Sequence, residues 1–228
     1  MKLGLLGLAG SGKDTAAEIL QRVLREQGFE FEIKKYAGLL KEATRLAFGD
    51  NFDDRDVKEE RVFITPALAD KIIDATDYVW LKLFSNEDEC VRKHWFELYN
   101  DHCIKHIDSK TWISPREFQQ LLGTDVVRTT DPDAWVNYLM GQDGNFIVSD
   151  VRFANELLDY NVLLWRNPTA LPTGAHISEA FAQQLMVDVA HMDAPYLHDY
   201  TLWNKGTLEE LERNIRFMVS TIDFSNYK

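Results

Sequence analysis

Short apolar runs alternate with amphipathic stretches near the start of the chain. The run KLGLL at 2–6 predicts a short buried strand, and residues 13–27 carry apolar side chains at helical spacing until Gly28 ends the helix. Alternating apolar and charged residues at 29–33 predict a half-buried strand, and helical spacing returns at 38–48. A strand and helix followed by a second strand and helix predict an α/β fold with a mainly parallel sheet.

Helical patterns dominate the middle of the chain. Thr65 is an expected N-cap ahead of Pro66, and the apolar spacing after it predicts a long helix. The stretch 86–110 that follows is polar and charged. We predict a helical insertion that begins at residue 50, includes this polar stretch, and continues through the next helices, so that it covers 50–142.

Two further helix starts lie inside this insertion. Ser114 at the N-cap, Pro115 at the first helical position and Glu117 at the third form the pattern of a capping box. Gly123 is the expected end of that helix. Asp131 and Pro132 are expected to open the next helix in the same way.

The last third of the chain returns to apolar runs. Residues 145–150, 162–165 and 200–203 each predict a buried strand. Thr207 and Glu210 form a second capping box, which predicts the start of a C-terminal helix. The chain 1–228 is therefore predicted to be a single domain that contains the insertion.

Composition narrows the class of partner. The 228 residues include 37 acidic and 25 basic side chains, a formal net charge of -12, which argues against coating nucleic acid. The two cysteines are too few for a disulfide framework and suit a reducing compartment. No run approaches the ~18 apolar residues of a membrane span, and the apolar N-terminus continues into a helix without a cleavage-like break. We expect no nucleic-acid or membrane partner and a cytoplasmic protein.

The stretch GLAGSGKDT at 7–15 is the first candidate site. It follows a predicted strand and begins a predicted helix, with glycines at Gly7, Gly10 and Gly12 before Lys13. Glycines let backbone N–H groups turn around phosphates, the helix N-terminus adds partial positive charge, and the lysine reaches the β and γ oxygens. The pattern predicts a phosphate-binding loop.

Asp14 departs from the usual loop, which has serine or threonine after the lysine. A carboxylate is a hard oxygen ligand for Mg²⁺, but it also brings negative charge close to a triphosphate, which makes sense only with a cation between them. The alternative is that Asp14 is simply a favourable acid in the first helical turn. Thr15 contacts a phosphate oxygen or is an ordinary helix residue.

The stretch SDVRFANE at 149–156 is the second candidate. Asp150 ends an apolar strand, where an acid on the magnesium side of a phosphate-loop enzyme is expected. Arg152 and Glu156 are spaced to share a face if a helix follows, and a surface ion pair is the alternative for these two.

Arg116 is expected to have a partner, because a cation in the first turn of a helix opposes the helix dipole by ~0.3 to 1 kcal/mol. A phosphate held jointly by the guanidinium and the helix N-terminus would offset that cost, and an exposed, screened arginine is the alternative. Trp135 either stacks on a base or belongs to the core, with the core slightly favoured.

A zinc site is the less favoured interpretation of the cysteines and histidines in the polar stretch. Their spacings match no strong zinc pattern, and a helix with scattered side chains accounts better for Cys90, His94, His102, Cys103 and His106.

Three motifs in this order, GLAGSGKDT at 7–15, SPREFQQLLGTDVVR at 114–128 and SDVRFANE at 149–156, resemble those of the deoxynucleoside monophosphate kinases of bacteriophages. The GKD form of the loop is typical of that family. Weaker similarity lies in HISEA at 176–180 and NKGTLEELE at 204–212. The resemblance implies a P-loop NTPase of the nucleoside monophosphate kinase type. That fold has three layers, a central parallel sheet and a helical acceptor-binding insertion.

The resemblance also implies an activity, the transfer of the γ-phosphoryl group of ATP to a deoxynucleoside 5′-monophosphate (dNMP) with Mg²⁺. The expected partners are these small-molecule nucleotides, with a homodimer left open, and a phage-encoded member would act in the host cytoplasm. By the same resemblance the catalytic residues would be Lys13, Asp14, Asp150, Arg152 and Glu156. Asp14 and Asp150 would hold the metal. ATP would contact Gly10, Ser11, Gly12, Lys13, Asp14, Thr15, Asn204 and Gly206. The dNMP would contact Arg116, Gly123, Thr124, Arg128 and Trp135.

One position departs from the family pattern. Family members often carry a second basic residue after the arginine, where this chain has Glu117. The number of cations that hold the acceptor phosphate therefore stays open.

Two other classes of function stay open on the sequence. A nucleotide switch or GTPase would need N-K-x-D for guanine, and NKGT at 204–207 has Thr207 in place of the aspartate. A related small-molecule kinase that acts on phosphomevalonate or dephospho-coenzyme A would share the loop and much of the fold.

Overall fold

A computed structural model describes residues 1–54, 56–85, 87–166, 184 and 198–224. The chain divides into two compact units, one formed by Met1–Lys35 with Asp143–Lys228 and the other by Tyr36–Gln142. The second unit ends at the residue where the predicted insertion ends, and it begins at Tyr36 rather than at residue 50. A single domain with an insertion stays a prediction. The HISEA stretch lies outside the described residues.

The strands and helices are numbered here in chain order. The strands are β1 (Lys2–Leu6), β2 (Glu32–Lys34), β3 (Val62–Phe63), β4 (Trp112–Ile113), β5 (Phe146–Val148), β6 (Tyr160–Trp165) and β7 (Tyr200–Trp203). The α-helices are α1 (Lys13–Glu26), α2 (Gly38–Phe48), α3 (Pro66–Phe84), α4 (Glu89–Cys103), α5 (Pro115–Gln120), α6 (Ala134–Met140) and α7 (Leu208–Thr221). Short 3₁₀ turns lie at Asp50–Asp53 and Ala154–Glu156, and π-helical turns extend α4 and α5 over Ile104–Asp108 and Leu121–Arg128.

The first unit is built on a five-stranded sheet in the order β2-β5-β1-β6-β7. Every neighbouring pair in it is parallel. The predicted α/β class with a parallel sheet is confirmed, and the arrangement is compatible with a three-layer α/β fold. Because parallel strands all point the same way, the segments that follow β1, β2, β5, β6 and β7 leave the sheet at one edge.

The core of the first unit lies between the sheet and helices α1 and α7. Leu3 and Leu5 of β1 pack against the buried face of α1, and Leu211 and Ile215 bring α7 to the same cluster. Helix α1 ends one residue earlier than predicted, and Gly28 after it has the left-handed φ of 85° that a helix stop requires. The predicted capping box of Thr207 and Glu210 starts α7 as expected.

The second unit is mainly helical. Helix α2 packs on α3 and α5, and the rings of Phe48 and Phe118 lie 5.6 Å apart between α2 and α5. Thr65 accepts a hydrogen bond from the backbone N–H of Leu68, which confirms it as the N-cap of α3. The predicted capping box of Ser114 and Glu117 is confirmed in both directions.

Two predicted helix boundaries in this unit are wrong. Gly123 does not end a helix, because the chain continues past it as a π-helix to Arg128. A Cβ on Gly123 would lie 2.7 Å from Cδ2 of Leu40, so a larger residue here would require the Leu40 side chain to shift. Asp131 does not cap a helix at Pro132 either. Its carboxylate accepts the N–H of Asp133 in a local turn, and α6 begins at Ala134.

The two cysteines of this unit are expected to react at very different rates. Cys90 is exposed, whereas Cys103 is buried. Burial, with Asp108 and Asp77 adding to it, raises the pKa of the Cys103 thiol to about 12, so it carries almost no thiolate at neutral pH. Titration of the native protein with a disulfide reagent should modify one thiol rapidly and the second only on unfolding. Equal rates for both thiols would contradict the packing of α4.

Among the described residues, no helix is long and apolar enough to cross a membrane.

Candidate functional site

The glycine loop and the SDVR segment leave the sheet side by side. The loop follows β1, and Ser149 and Asp150 follow β5, which pairs directly with β1. After β1 the chain continues to β2 on one side of β1. After β5, which lies on that same side, it crosses to β6 on the opposite side of β1. In open parallel sheets such a reversal of direction opens a crevice at the carboxyl ends of the strands, where ligands bind.

The loop backbone adopts conformations that only glycine accepts without strain. Gly7, Gly10 and Gly12 have φ of 145°, 74° and 92°. A Cβ on Gly7 would lie 2.7 Å from the carbonyl oxygen of Leu164, and one on Gly12 would lie 2.7 Å from Nδ2 of Asn204. The backbone angle therefore favours glycine at all three positions, and close approach adds to it at Gly7 and Gly12.

Lys13 folds back over the loop. Its ammonium group donates to the carbonyl oxygens of Gly7 at 2.6 Å and Leu8 at 2.9 Å. Ser11 is 4 % exposed, and its buried hydroxyl oxygen has no hydrogen-bond partner among the described residues. Buried hydroxyl groups without a hydrogen-bond partner are uncommon in folded proteins, and an oxygen of a ligand bound in the loop would satisfy this one.

Asp14 lies in the first turn of α1 and makes two polar contacts through one oxygen. Its Oδ1 accepts a hydrogen bond from the hydroxyl of Ser149 at 2.7 Å and lies 2.7 Å from the ammonium of Lys35. Partial burial opposes ionisation, but the contacts with Lys35 and Ser149 prevail and lower the pKa of Asp14 below its ordinary value. Asp14 is therefore ionised at neutral pH, whether it is a metal ligand or only a helix-start acid.

The segment after β5 is shaped by Glu156. No α-helix follows Asp150, so Arg152 and Glu156 do not share a helix face. Instead the carboxylate of Glu156, only 2 % exposed, accepts the backbone N–H groups of Arg152 at 2.6 Å and Phe153 at 3.1 Å. Glu156 thus fixes the backbone around Arg152, whose side chain is exposed. Asp150 is 8 % exposed at the end of β5.

The segment after β7 supports the loop from the other side. The side-chain amide of Asn204 donates to the carbonyl of Ser11 at 2.8 Å, which places Asn204 against the glycine loop. Gly206 follows at the start of α7, and a Cβ there would overlap the carboxylate of Glu210. Thr15 is exposed on α1. Arg166, after β6, donates to the carbonyl of Gly10 at 3.3 Å.

The acids at this edge suit a magnesium ion that is shared with phosphates. No group of three or more His, Cys, Asp or Glu side chains suited to a metal occurs in the described part of the chain. Mg²⁺ does not require one, because it keeps several waters and takes one or two carboxylates together with substrate phosphates. Asp14 supplies a hard oxygen, since its Oδ2 makes no hydrogen bond with the described residues. Asp150 supplies a second carboxylate beside Ser149.

Arg116 has a protein partner. In the second unit its guanidinium donates to the carboxylate of Glu59, and its side chain is 45 % exposed. The first-turn N–H groups of α5 are also occupied, since Arg116 donates to the carbonyl of Lys58, and Glu117 and Phe118 donate to Ser114. The first-turn N–H groups thus have protein acceptors in this structure, and a phosphate held with the helix N-terminus stays a prediction. A role for the guanidinium itself stays a prediction.

The other predicted acceptor residues lie on or beside the π-helix Leu121–Arg128. Arg128 is half-buried and donates to the carbonyl of Pro132 at 3.4 Å. Trp135 is 4 % exposed, and its indole N–H donates to the carbonyl of Gly123 at 3.0 Å. Of the two roles weighed for Trp135, the core role has this support, and contact with a base stays a prediction. Thr124 is half-buried in the same π-helix.

Three contacts were missing from the sequence interpretation. Lys35 and Ser149 are each the first residue after a strand, and the parallel pairing of β2 with β5 brings them together. The strand ends could have indicated both residues, because a parallel sheet collects such positions at one edge. Glu59, the partner of Arg116, carried no comparable signal.

No protein-family model matches this sequence, and a search of curated proteins finds no significant match.

Proposed function

We propose that the chain is a P-loop nucleotide kinase that transfers the γ-phosphoryl group of ATP to deoxynucleoside 5′-monophosphates. The observation that carries the proposal is the glycine loop after the central strand β1, with Lys13 at its end and ionised Asp14 beside it. A strand, glycine loop and helix in this order bind phosphates through backbone N–H groups and the helix N-terminus.

The donor nucleotide is assigned to the first unit. The loop amides surround its phosphates, and Lys13 moves its ammonium from the carbonyls of Gly7 and Leu8 to the β and γ oxygens. Asp14 and Asp150 would hold a magnesium ion, which would supply positive charge to neutralise the phosphates of ATP. Asn204 keeps the loop in place through Ser11. The proposal assigns Asn204 and Gly206 to the side of the adenine.

Arg152 is proposed to neutralise the negative charge of the transferred phosphoryl group. Phosphoryl transfer asks the protein to position two nucleotides and to neutralise charge, and no covalent nucleophile is needed. Arg152 is exposed after β5, and Glu156 holds its backbone. Glu156 is therefore a positioning residue, and Arg152 contacts the phosphoryl group.

The acceptor is assigned to the second unit, with Arg116 and Arg128 toward its phosphate. In the reaction an oxygen of that phosphate forms the new bond to the γ phosphorus as the bond to the β-phosphate oxygen of ATP breaks. Products are ADP and a deoxynucleoside diphosphate. Gly123, Thr124 and Trp135 complete the proposed acceptor side.

The test is an acceptor panel. ADP release should be measured with Mg²⁺ and ATP against dAMP, dGMP, dCMP, dTMP, phosphomevalonate, dephospho-coenzyme A, and no acceptor. We expect turnover with at least one dNMP and none after chelation of the metal. Turnover confined to phosphomevalonate or dephospho-coenzyme A would move the assignment to those kinases. Acceptor-independent release alone would favour a nucleotide switch.

Arg116→Ala is expected to reduce kcat/KM for the dNMP by about 10- to 150-fold, because it removes a charge-assisted contact worth ~1.5 to 3 kcal/mol. ATP affinity and thermal stability should change little, since the Arg116–Glu59 pair is exposed and contributes little to folding. Steady-state kinetics with each substrate varied in turn would measure this. Unchanged efficiency would return Arg116 to a surface role.

A companion variant tests the same site from its carboxylate side. Glu59→Gln removes the charge that competes with a phosphate for Arg116, so KM for the dNMP should fall about two- to fivefold. The matched control is Glu60→Gln, at the exposed neighbouring position, which should leave KM unchanged. An equal fall in KM for both variants would mean that the change in net charge causes the effect, and not the loss of the Arg116–Glu59 pair.

A further inference from the structure

Lys35 stands out among the side chains near the glycine loop because the proposed chemistry has not used it. Its ammonium lies 2.7 Å from Oδ1 of Asp14, and its side chain is 31 % exposed. Asp14 is the one carboxylate that pairs with it among the described residues. Lys35 follows β2 directly, so a strand of the sheet fixes where its side chain begins.

The position of Lys35 follows from the strand order. β2 and β5 are paired in parallel, and the N–H of Ser149 donates to the carbonyl of Lys34 at 3.3 Å. This pairing places Lys35 and Ser149 side by side at the carboxyl edge of the sheet. Both reach the same oxygen of Asp14, Ser149 as a hydrogen-bond donor and Lys35 as a cation.

The two oxygens of the Asp14 carboxylate have different surroundings. Oδ1 is held by the protein, and Oδ2 makes no hydrogen bond with the described residues. A fixed Oδ1 sets the direction of Oδ2, which is what a carboxylate needs in order to offer one oxygen to a metal. Lys35 also cancels a negative charge that would otherwise stand beside a triphosphate.

We infer that Lys35 is the resident counter-charge of Asp14: with Ser149 it positions the carboxylate, and it makes the loop acceptable to a triphosphate before the metal arrives. The inference rests on the proposed function and explains how a phosphate loop tolerates an acid at this position. Lys35 is a positioning residue in this account, because it acts through Asp14.

Binding measurements without turnover test the inference. Dissociation constants for ATP are measured by calorimetry in EDTA and in saturating Mg²⁺. The ratio of the value in EDTA to the value in Mg²⁺ reports how much the metal strengthens ATP binding. In Lys35→Met the ratio should rise by about three- to tenfold, the range expected for a partly screened ion pair, because ATP without metal now meets an uncompensated Asp14. Magnesium takes over the missing charge, so affinity for the metal complex should change much less.

Three further variants distinguish charge compensation from damage to the fold. Lys35→Arg should keep the ratio near that of the parent. Lys34→Met removes the same charge one residue earlier, where the ammonium lies 4.8 Å from the ring centre of Phe146, and should also keep the parental ratio. In an Asp14→Asn background, Lys35→Met should no longer change the ratio, since no carboxylate charge remains to compensate.

The outcomes separate this inference from the proposed function. Equal weakening of ATP binding with and without Mg²⁺ in Lys35→Met, or an unchanged ratio, would overturn the role of Lys35 while leaving a parent protein that binds ATP and phosphorylates dNMPs. A parent protein that fails to bind ATP in either condition would overturn the proposed function, and the inference with it.

Discussion

Asp14→Ala is expected to lower turnover by about 100-fold or more, because it removes a metal ligand from a site whose electrostatics stabilise the transferred group. Asp14→Asn keeps the shape and one oxygen but loses the charge, so it should also be strongly impaired and should recover partly at raised Mg²⁺. Asp14→Ser restores the usual loop residue and should retain more activity than Asp14→Ala. Turnover as a function of Mg²⁺ concentration measures all three.

The control for these variants is Glu18→Gln. Glu18 is an exposed acid one turn further along α1, so its neutralisation changes the net charge equally without touching the loop. It should behave like the parent at every Mg²⁺ concentration. If the three Asp14 variants also behave like the parent at low Mg²⁺, the metal role is wrong and Asp14 is only a helix-start acid.

Gly7→Ala is expected to destabilise the fold by about 3 kcal/mol or more. The residue has φ of 145°, and the new Cβ would lie 2.7 Å from the backbone oxygen of Leu164 in β6, which cannot move without disturbing the sheet. Backbone strain costs ~1 to 3 kcal/mol, and overpacking costs a similar amount. For a chain of this size the loss corresponds to a fall of roughly 6 to 12 °C in Tm.

Gly10→Ala is the matched control within the same loop. Gly10 also has a left-handed φ, 74°, but nothing lies within 4 Å of a Cβ built there. Only the backbone cost of ~1 to 2 kcal/mol applies, partly offset by the lower entropy of the unfolded chain, so Tm should fall by less than roughly 6 °C. Thermal unfolding of both variants measures the difference. Similar Tm values for the two would contradict the loop packing described here.

The elements that the sequence predicted best are those with local causes. The buried strand at Lys2–Leu6, the helix Lys13–Glu26 and the capping box of Ser114 and Glu117 are encoded by neighbouring residues. Apolar periodicity and capping act over a few positions, so one sequence suffices to detect them.

The errors concern residues whose local pattern fits more than one structure. Gly123 was expected to end a helix because glycine commonly does, but the chain continues past it as a π-helix and Gly123 packs against Leu40 of α2. Helical spacing suggested a shared face for Arg152 and Glu156, whereas Glu156 accepts backbone N–H groups in a tighter turn. Neither role has a local pattern that would distinguish it.

Some residues of the candidate site have a local sequence pattern, and others are brought together only by the fold. The glycine loop and Asp150 were found from the sequence, because each lies beside a strand with a readable pattern. The contacts of Asp14 with Lys35 and Ser149 join residues that are far apart along the chain, and they depend on the pairing of β2 with β5. Strand order was not predictable from the sequence, so neither were these contacts.

Transfer of label from ATP tests the central claim most directly. The protein is incubated with Mg²⁺, each dNMP in turn, and ATP that carries radioactive phosphorus in its γ position, and the products are separated by chromatography. The account predicts label in the β-phosphate of a deoxynucleoside diphosphate, formed in equal amount with ADP and absent when Mg²⁺ is chelated. Label that appears only as inorganic phosphate, or remains in ATP with every dNMP, would contradict it.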